Sequence, residues 1–144
     1  MDANPLFAAL LGGKALKIIY DKQFHFITTE HTIWEVKKYI RELAKTVHRK
    51  SGKNKGQRKK EAIERELNAE LEKFPLEIIH PQYYSHKIEQ SKILIGSRDI
   101  TDIDILALSL TTRFPLWSND KDFEGIEEIE LLRTEDMLRK FDGL

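Results

Sequence analysis

The stretch IDILALSLTTRFPLWSNDKD, from Ile103 to Asp122, decides the fold. Its first ten residues, 103–112, carry apolar and small side chains over helix length. Pro115 then resets the backbone, Leu116 and Trp117 follow as a short buried strand within 115–118, and Asp120 and Asp122 stand just beyond that strand's end. A helix leading into a short strand that ends in carboxylates is a unit of α/β architecture. In that architecture, sites form beyond the carboxyl ends of parallel strands.

Working outward, the same alternation recurs. Asn4 and Pro5 read as an N-cap and a first helical position ahead of Leu6, Phe7, Leu10 and Leu11, with Gly12-Gly13 as the stop. A second short helix is expected over 14–20 and a strand over 24–28, where aromatic and β-branched residues gather. Ile33, Val36, Ile40, Leu43 and Val47 then recur at steps of three and four, leaving Lys37, Lys38, Arg41 and Lys45 off the apolar face. Residues 48–57 contain Ser51, Gly52, Asn54 and Gly56 and read as an exposed connection. Ile63, Leu67, Leu71 and Phe74 mark a partner helix over 58–74 closed by Pro75, so a helical hairpin over about 31–74 is expected to project from the body. Strands over 76–80 and 129–132, helices over 81–95 and 103–112, and a terminal helix capped by Thr134 complete the pattern. The fold class is α/β: three layers, α/β/α, around a central parallel sheet.

Composition agrees with one domain over 1–144. The chain has 144 residues, 40% hydrophobic and 33% charged, with no cysteine. Its longest apolar run, 6–11, is far short of the roughly 20 residues of a membrane span, and no membrane partner is expected. Lack of cysteine removes disulfide scaffolds and thiol nucleophiles and fits a cytoplasmic setting. The formal net charge of zero hides a segregation: 37–60 holds eleven Lys or Arg against one acid, and 96–144 holds twelve acids against six bases. Such a layout suits a protein that holds a polyanion with one part and cations with another, the plainer alternative being a solvated helical pair.

Few familiar motifs survive inspection. Gly12-Gly13-Lys14-Ala15 lacks the glycine spacing of a phosphate loop and has Ala where a metal-binding hydroxyl belongs. The five histidines show no zinc-protease spacing. Carboxylates at element junctions remain: Asp2, Glu35, Asp99, Asp102, Asp104, Asp120 and Asp122. Each has a bland role open to it, Thr32 with Glu35 as a capping box, Asp102 as a helix cap, Asp120 in a turn. Together, at converging strand ends, they would repel one another unless a cation sits between them, and clustered oxygens without sulfur or imidazole select Mg²⁺ or Mn²⁺.

Four stretches in order, DANPLFAALL from Asp2, TIWEV from Thr32, RDITDIDILALSL from Arg98 and PLWSNDKDF from Pro115, resemble the PIN-domain ribonucleases, a family that includes VapC-type toxins of toxin–antitoxin pairs. The resemblance extends over nearly the whole chain and places Asp2, Glu35, Asp102 and Asp120 at the family's four acidic positions, with Asp122 as a frequent fifth. Ser118 matches a small hydroxyl residue that orients the site, and Asn4 the polar residue after the first acid. Asp99 and Asp104 are supporting acids. Whether Asp102 or Asp104 faces the metal is open at this point, with Asp102 favoured. The implied chemistry is metal-assisted endonucleolytic hydrolysis of RNA with Mg²⁺ or Mn²⁺, and the implied partners are RNA and an antitoxin protein.

One departure stands out. Family members carry an apolar strand before the first acid, and here only Met1 precedes Asp2. The usual first strand is expected to be missing, leaving an open ladder edge and an apolar trough that favours a homodimer. Arg49, Lys50, Lys53, Lys55, Arg58, Lys59 and Lys60 are expected to contact the RNA backbone. Trp34, Trp117, Tyr83 and Tyr84 are read first as core packing, with base stacking second. Against the ribonuclease stands a non-catalytic RNA-binding or protein-interaction module of the same fold, and a DNA nuclease would use the same residues.

Overall fold

Four short strands, β1 (Phe26–Thr29), β2 (Leu76–Ile79), β3 (Leu116–Trp117) and β4 (Leu131–Leu132), form two parallel pairs, β1 with β2 and β3 with β4. The computed structural model describes residues 1–51, 53–96 and 99–141, with the backbone alone for 47–51 and 53–58. In register, Phe26 lies opposite Leu76 and Ile27 opposite Glu77, while Leu116 lies opposite Leu131 and Trp117 opposite Leu132.

Strand alternation sorts these residues into two cores. Phe26, Leu76, Trp117 and Leu132 pack with Leu6, Ile18, Val36 and Ile40. Their neighbours Ile27, Ile79, Leu116 and Leu131 pack with Ile105, Leu106 and Phe123. Successive side chains of a strand point to opposite faces, so two cores filled by adjacent residues mean a sheet layer covered on both sides. One cover consists of α1 (Ala3–Leu10), α2 (Gly13–Ile19), α3 (Glu30–Ser51), α4 (Lys53–Lys73) and α7 (Thr134–Lys140), the other of α5 (Ile88–Ile95) and α6 (Ile100–Thr112). The expected α/β/α layering is present.

The sheet layer is discontinuous between β1 and β3, and the first two residues bridge it. The Met1 ammonium donates to the Ile27 carbonyl at 2.9 Å, the Thr28 hydroxyl donates to the Met1 carbonyl at 2.8 Å, and the Asp2 amide donates to the Trp117 carbonyl at 2.9 Å. Burial lowers the Met1 ammonium to about 6, partly opposed by Asp2. Beside this bridge runs an apolar cavity of about 360 Å³, whose walls include Phe24, Phe26, Phe114, Trp117, Leu132 and Met137. An apolar trough is the expectation for a sheet that lacks its usual first strand, and this cavity lies at the gap between β1 and β3.

Several elements begin or end at residues other than those the pattern favours. Helix α1 begins at Ala3 with Asp2, not Asn4, as its cap: the Asp2 carboxylate accepts from the Ala3 amide at 2.8 Å. Thr29 rather than Thr32 caps α3, its hydroxyl accepting from the Thr32 amide at 3.1 Å. Asp99 rather than Asp102 caps α6, which starts three residues earlier than expected. The expected connection over 48–57 is helical up to Ser51 and again from Lys53, and Gly52 lies outside the described residues. The expected helix over 81–95 opens as two 3-10 turns, Pro81–Tyr83 and Ser85–Lys87, before α5. The hydroxyl of Thr134 does not cap α7; it accepts from Trp117 Nε1 and Asn119 Nδ2, both at 3.1 Å.

Candidate metal centre

The N-terminus of α1, the second turn of α3, the start of α6 and the turn after β3 meet at one crevice of about 210 Å³, lined by Asp2, Asn4, Glu35, Asp99, Asp102, Asp120 and Asp122, with Ala3 and Tyr39. No Lys, Arg, His or sulfur atom lines it among the described residues. Each acid is placed by its own local chemistry. Asp2 is 3% exposed, with one oxygen on the Ala3 amide and the other accepting from the Ser118 hydroxyl at 2.6 Å. Ser118 Oγ in turn accepts from the Asp120 amide at 3.1 Å, so one buried hydroxyl spaces two acids. Asp120 closes a tight turn by accepting from the Asp122 amide at 2.9 Å.

Helical phase separates the three acids of α6. Asp99 caps the helix through the Thr101 amide at 2.9 Å, and Asp102, three residues on, turns into the crevice. Asp104 lies a further ~200° around the axis at ~100° per residue. It is 5% exposed, accepts from the Tyr84 hydroxyl at 3.0 Å and pairs with His31 Nδ1. Asp104 therefore ties α3, α6 and the 3-10 turns together and does not line the crevice. Of the two acids left open by the sequence, Asp102 is the one that faces it.

The electrostatics record the crowding. Asp102 is pushed up to about 7, first by burial and then by the charges of Asp99, Asp2, Asp120 and Glu35. Asp2 is raised by burial, with the Ser118 and Ala3 hydrogen bonds opposing. Glu35 is raised by burial while a hydrogen bond with Tyr39 opposes. Burial and the charge of Glu35 push the Tyr39 phenol up in turn, so it stays a hydrogen-bond donor. One carboxylate oxygen from each of Asp102, Asp120 and Asp122 lies within 4.8 Å of the others.

The family model of the PIN domain matches residues 1–140, which takes in every acid of the crevice. The chain belongs to the PIN-domain family. No curated protein and no solved structure matches it. PIN domains are generally nucleases that act on RNA and use divalent metals, and the donor set of this PIN domain fits such an ion. Its donors are hard, converging carboxylate oxygens, with no cationic side chain among them in the described residues, which suits a hard divalent cation and not a thiophilic metal.

Other expected residues fall elsewhere. The side chains of Arg49, Lys50, Lys53, Lys55 and Arg58 lie outside the described residues. Lys59 is exposed and Lys60 half-buried on α4. Trp117 and Tyr84 are core residues as expected, but Trp34 and Tyr83 are 55% and 57% exposed, which corrects their reading as core. Tyr39 was missed. Its signal was available, since a residue four positions after Glu35 shares its helix face. Its ring is also held edge-on by Phe7, centroids 5.5 Å apart.

Proposed function

We propose that this PIN domain is a divalent-metal-dependent endoribonuclease hydrolysing RNA phosphodiester bonds. The observation that carries the reading is the approach of Asp102, Asp120 and Asp122 to within 4.8 Å, in a crevice that Asp2 and Glu35 complete. Asp102, Asp120 and Asp122 would hold Mg²⁺ or Mn²⁺, with Asp2 and Glu35 at its margin. A bound cation would supply stabilisation of charge developing on the phosphate and a more acidic water. Ser118 and the Ala3 amide hold the Asp2 carboxylate in one orientation, and Tyr39 does the same for Glu35. Asn4 presents an exposed amide at the rim for the ribose or phosphate.

The finer assignments belong to the same proposal: a toxin of a toxin–antitoxin pair acting in the cytoplasm, an antitoxin protein whose basic segment complements the acidic crevice, and a homodimer formed over the apolar trough. The alternative is a non-catalytic RNA-binding or protein-interaction module, in which the acids serve only to cap α1 and α6.

The test is cleavage of labelled single-stranded RNA with Mn²⁺, with EDTA, and by Asp102→Asn, once circular dichroism has shown both proteins folded. Cleavage by the parent that EDTA and the substitution abolish is the expected result. A folded parent that leaves RNA intact in Mn²⁺ and in Mg²⁺ overturns the nuclease and favours the binding module.

A further inference from the structure

Helix α3 carries a second chemical feature on the face adjoining the crevice. Trp34, Lys38, Arg41 and Lys45 are spaced four, three and four residues apart, which at ~100° per residue confines them to one stripe roughly 60° wide. All four are exposed. Trp34 is 55% exposed, against 3% for Trp117, although an indole left on a helix surface forfeits the burial that normally accounts for it. The Lys38 ammonium stands over one face of its ring, 6.0 Å from the centre, in a cation–π contact. Trp34 shares a helical turn with Glu35, which lines the crevice, and the three bases lead away from it along ~16 Å of helix.

We infer that Trp34, Lys38, Arg41 and Lys45 form a track for single-stranded RNA, on which Trp34 stacks one base beside the crevice while the three cations follow the phosphates. This deepens, and rests on, the ribonuclease reading. The chemistry selects the occupant: evenly spaced cations match a polyanion, and an open aromatic face matches a nucleobase that is not paired inside a duplex. An acidic peptide would satisfy the cations and leave the indole without a role. Glu35 and Glu42 are the acids flanking the stripe: Glu42 is exposed and able to turn into solvent, and Glu35, whose charge Lys38 partly offsets, lines the crevice. The track also gives the enzyme a substrate preference, since a duplex offers no free base to Trp34.

The experiment measures binding of a fluorescein-labelled single-stranded oligouridylate in EDTA, where no cleavage occurs, so failure of the track and failure of the nuclease are read separately. Trp34→Ala is expected to weaken binding about tenfold, and Trp34→Phe to restore most of it, because stacking needs a π-face and not an indole. Replacing Lys38, Arg41 and Lys45 with Ser is expected to lower the slope of log affinity against log salt by about 2, the value for three phosphate contacts on a single strand. An abasic ribose-phosphate oligomer should bind the parent and Trp34→Ala alike. Equal affinity of parent and Trp34→Ala for oligouridylate, or an unchanged salt slope in the triple variant, overturns the track. Tighter binding of a poly-glutamate peptide than of oligouridylate, lost in the triple variant, assigns the stripe to a protein instead.

Discussion

At the residue scale, the informative group is Asp102. Its pKa is raised from 3.8 to about 7, so the metal-free fold holds its proton more tightly than the unfolded chain does. The associated stability is fully present below pH 3.8 and is lost as pH rises toward 7, after which it is level. Thermal melts in EDTA should fall across that window, and Asp102→Asn should flatten this part of the curve, melting above the parent at pH 8. With Mn²⁺ the order should reverse, because only the parent gains a bound ion. Ser118→Ala removes the donor to Asp2 and the acceptor for the Asp120 amide, a loss of about 1–3 kcal/mol by urea titration for a buried hydroxyl of this kind. The acids themselves were legible in the sequence because each stands at an element junction. The choice between Asp102 and Asp104 was not, because both lie in the first half of a helix buried on all sides, and only the tertiary structure shows Asp102 in the crevice and Asp104 held by Tyr84 and His31.

At the element scale, the sequence located the helices and strands by period and punctuation, and missed which side chain caps which helix. Thr29, Asp99 and Asp2 each sit two or three residues before the residue that pattern favoured. Several Ser, Thr, Asp and Asn residues compete at each helix start, and tertiary contacts select among them. The helix ends yield a sharper expectation. Helix α6 terminates at Arg113 with φ 62°, the single non-glycine residue at positive φ among the described residues. Arg113→Gly should therefore stabilise the fold by about 0.5–1 kcal/mol, read as a higher urea midpoint. Gly96 already holds the same conformation, φ 63°, at the end of α5. Tyr84→Phe should cost about 1–3 kcal/mol, since it withdraws one of the two partners of a buried carboxylate.

At the scale of the whole molecule, the family likeness anticipated the trough, whereas its bridging by Met1 and Asp2 could not be read from a sequence that gives no backbone geometry there. If a second copy covers the trough, light scattering should give a mass that rises with concentration, and Phe114→Asp on its wall should hold the protein at a single-chain mass. The hairpin was legible in outline but not in length: Ser51 and Gly56 suggested a loop, yet both are helical, a glycine in a helix costing about 1 kcal/mol. At 22 residues α3 is ~33 Å long. Among the described residues between 41 and 66, Ala44 alone is buried. A hairpin that projects from a small body, as the sequence leads one to expect, would not rotate as a sphere. Amide vectors parallel to the long axis of such a shape are relaxed by the slower end-over-end tumbling, so a projecting hairpin should make α3 and α4 relax differently from α5 and α6, and the radius of gyration in solution scattering should exceed the ~14 Å of a sphere-like chain of this size.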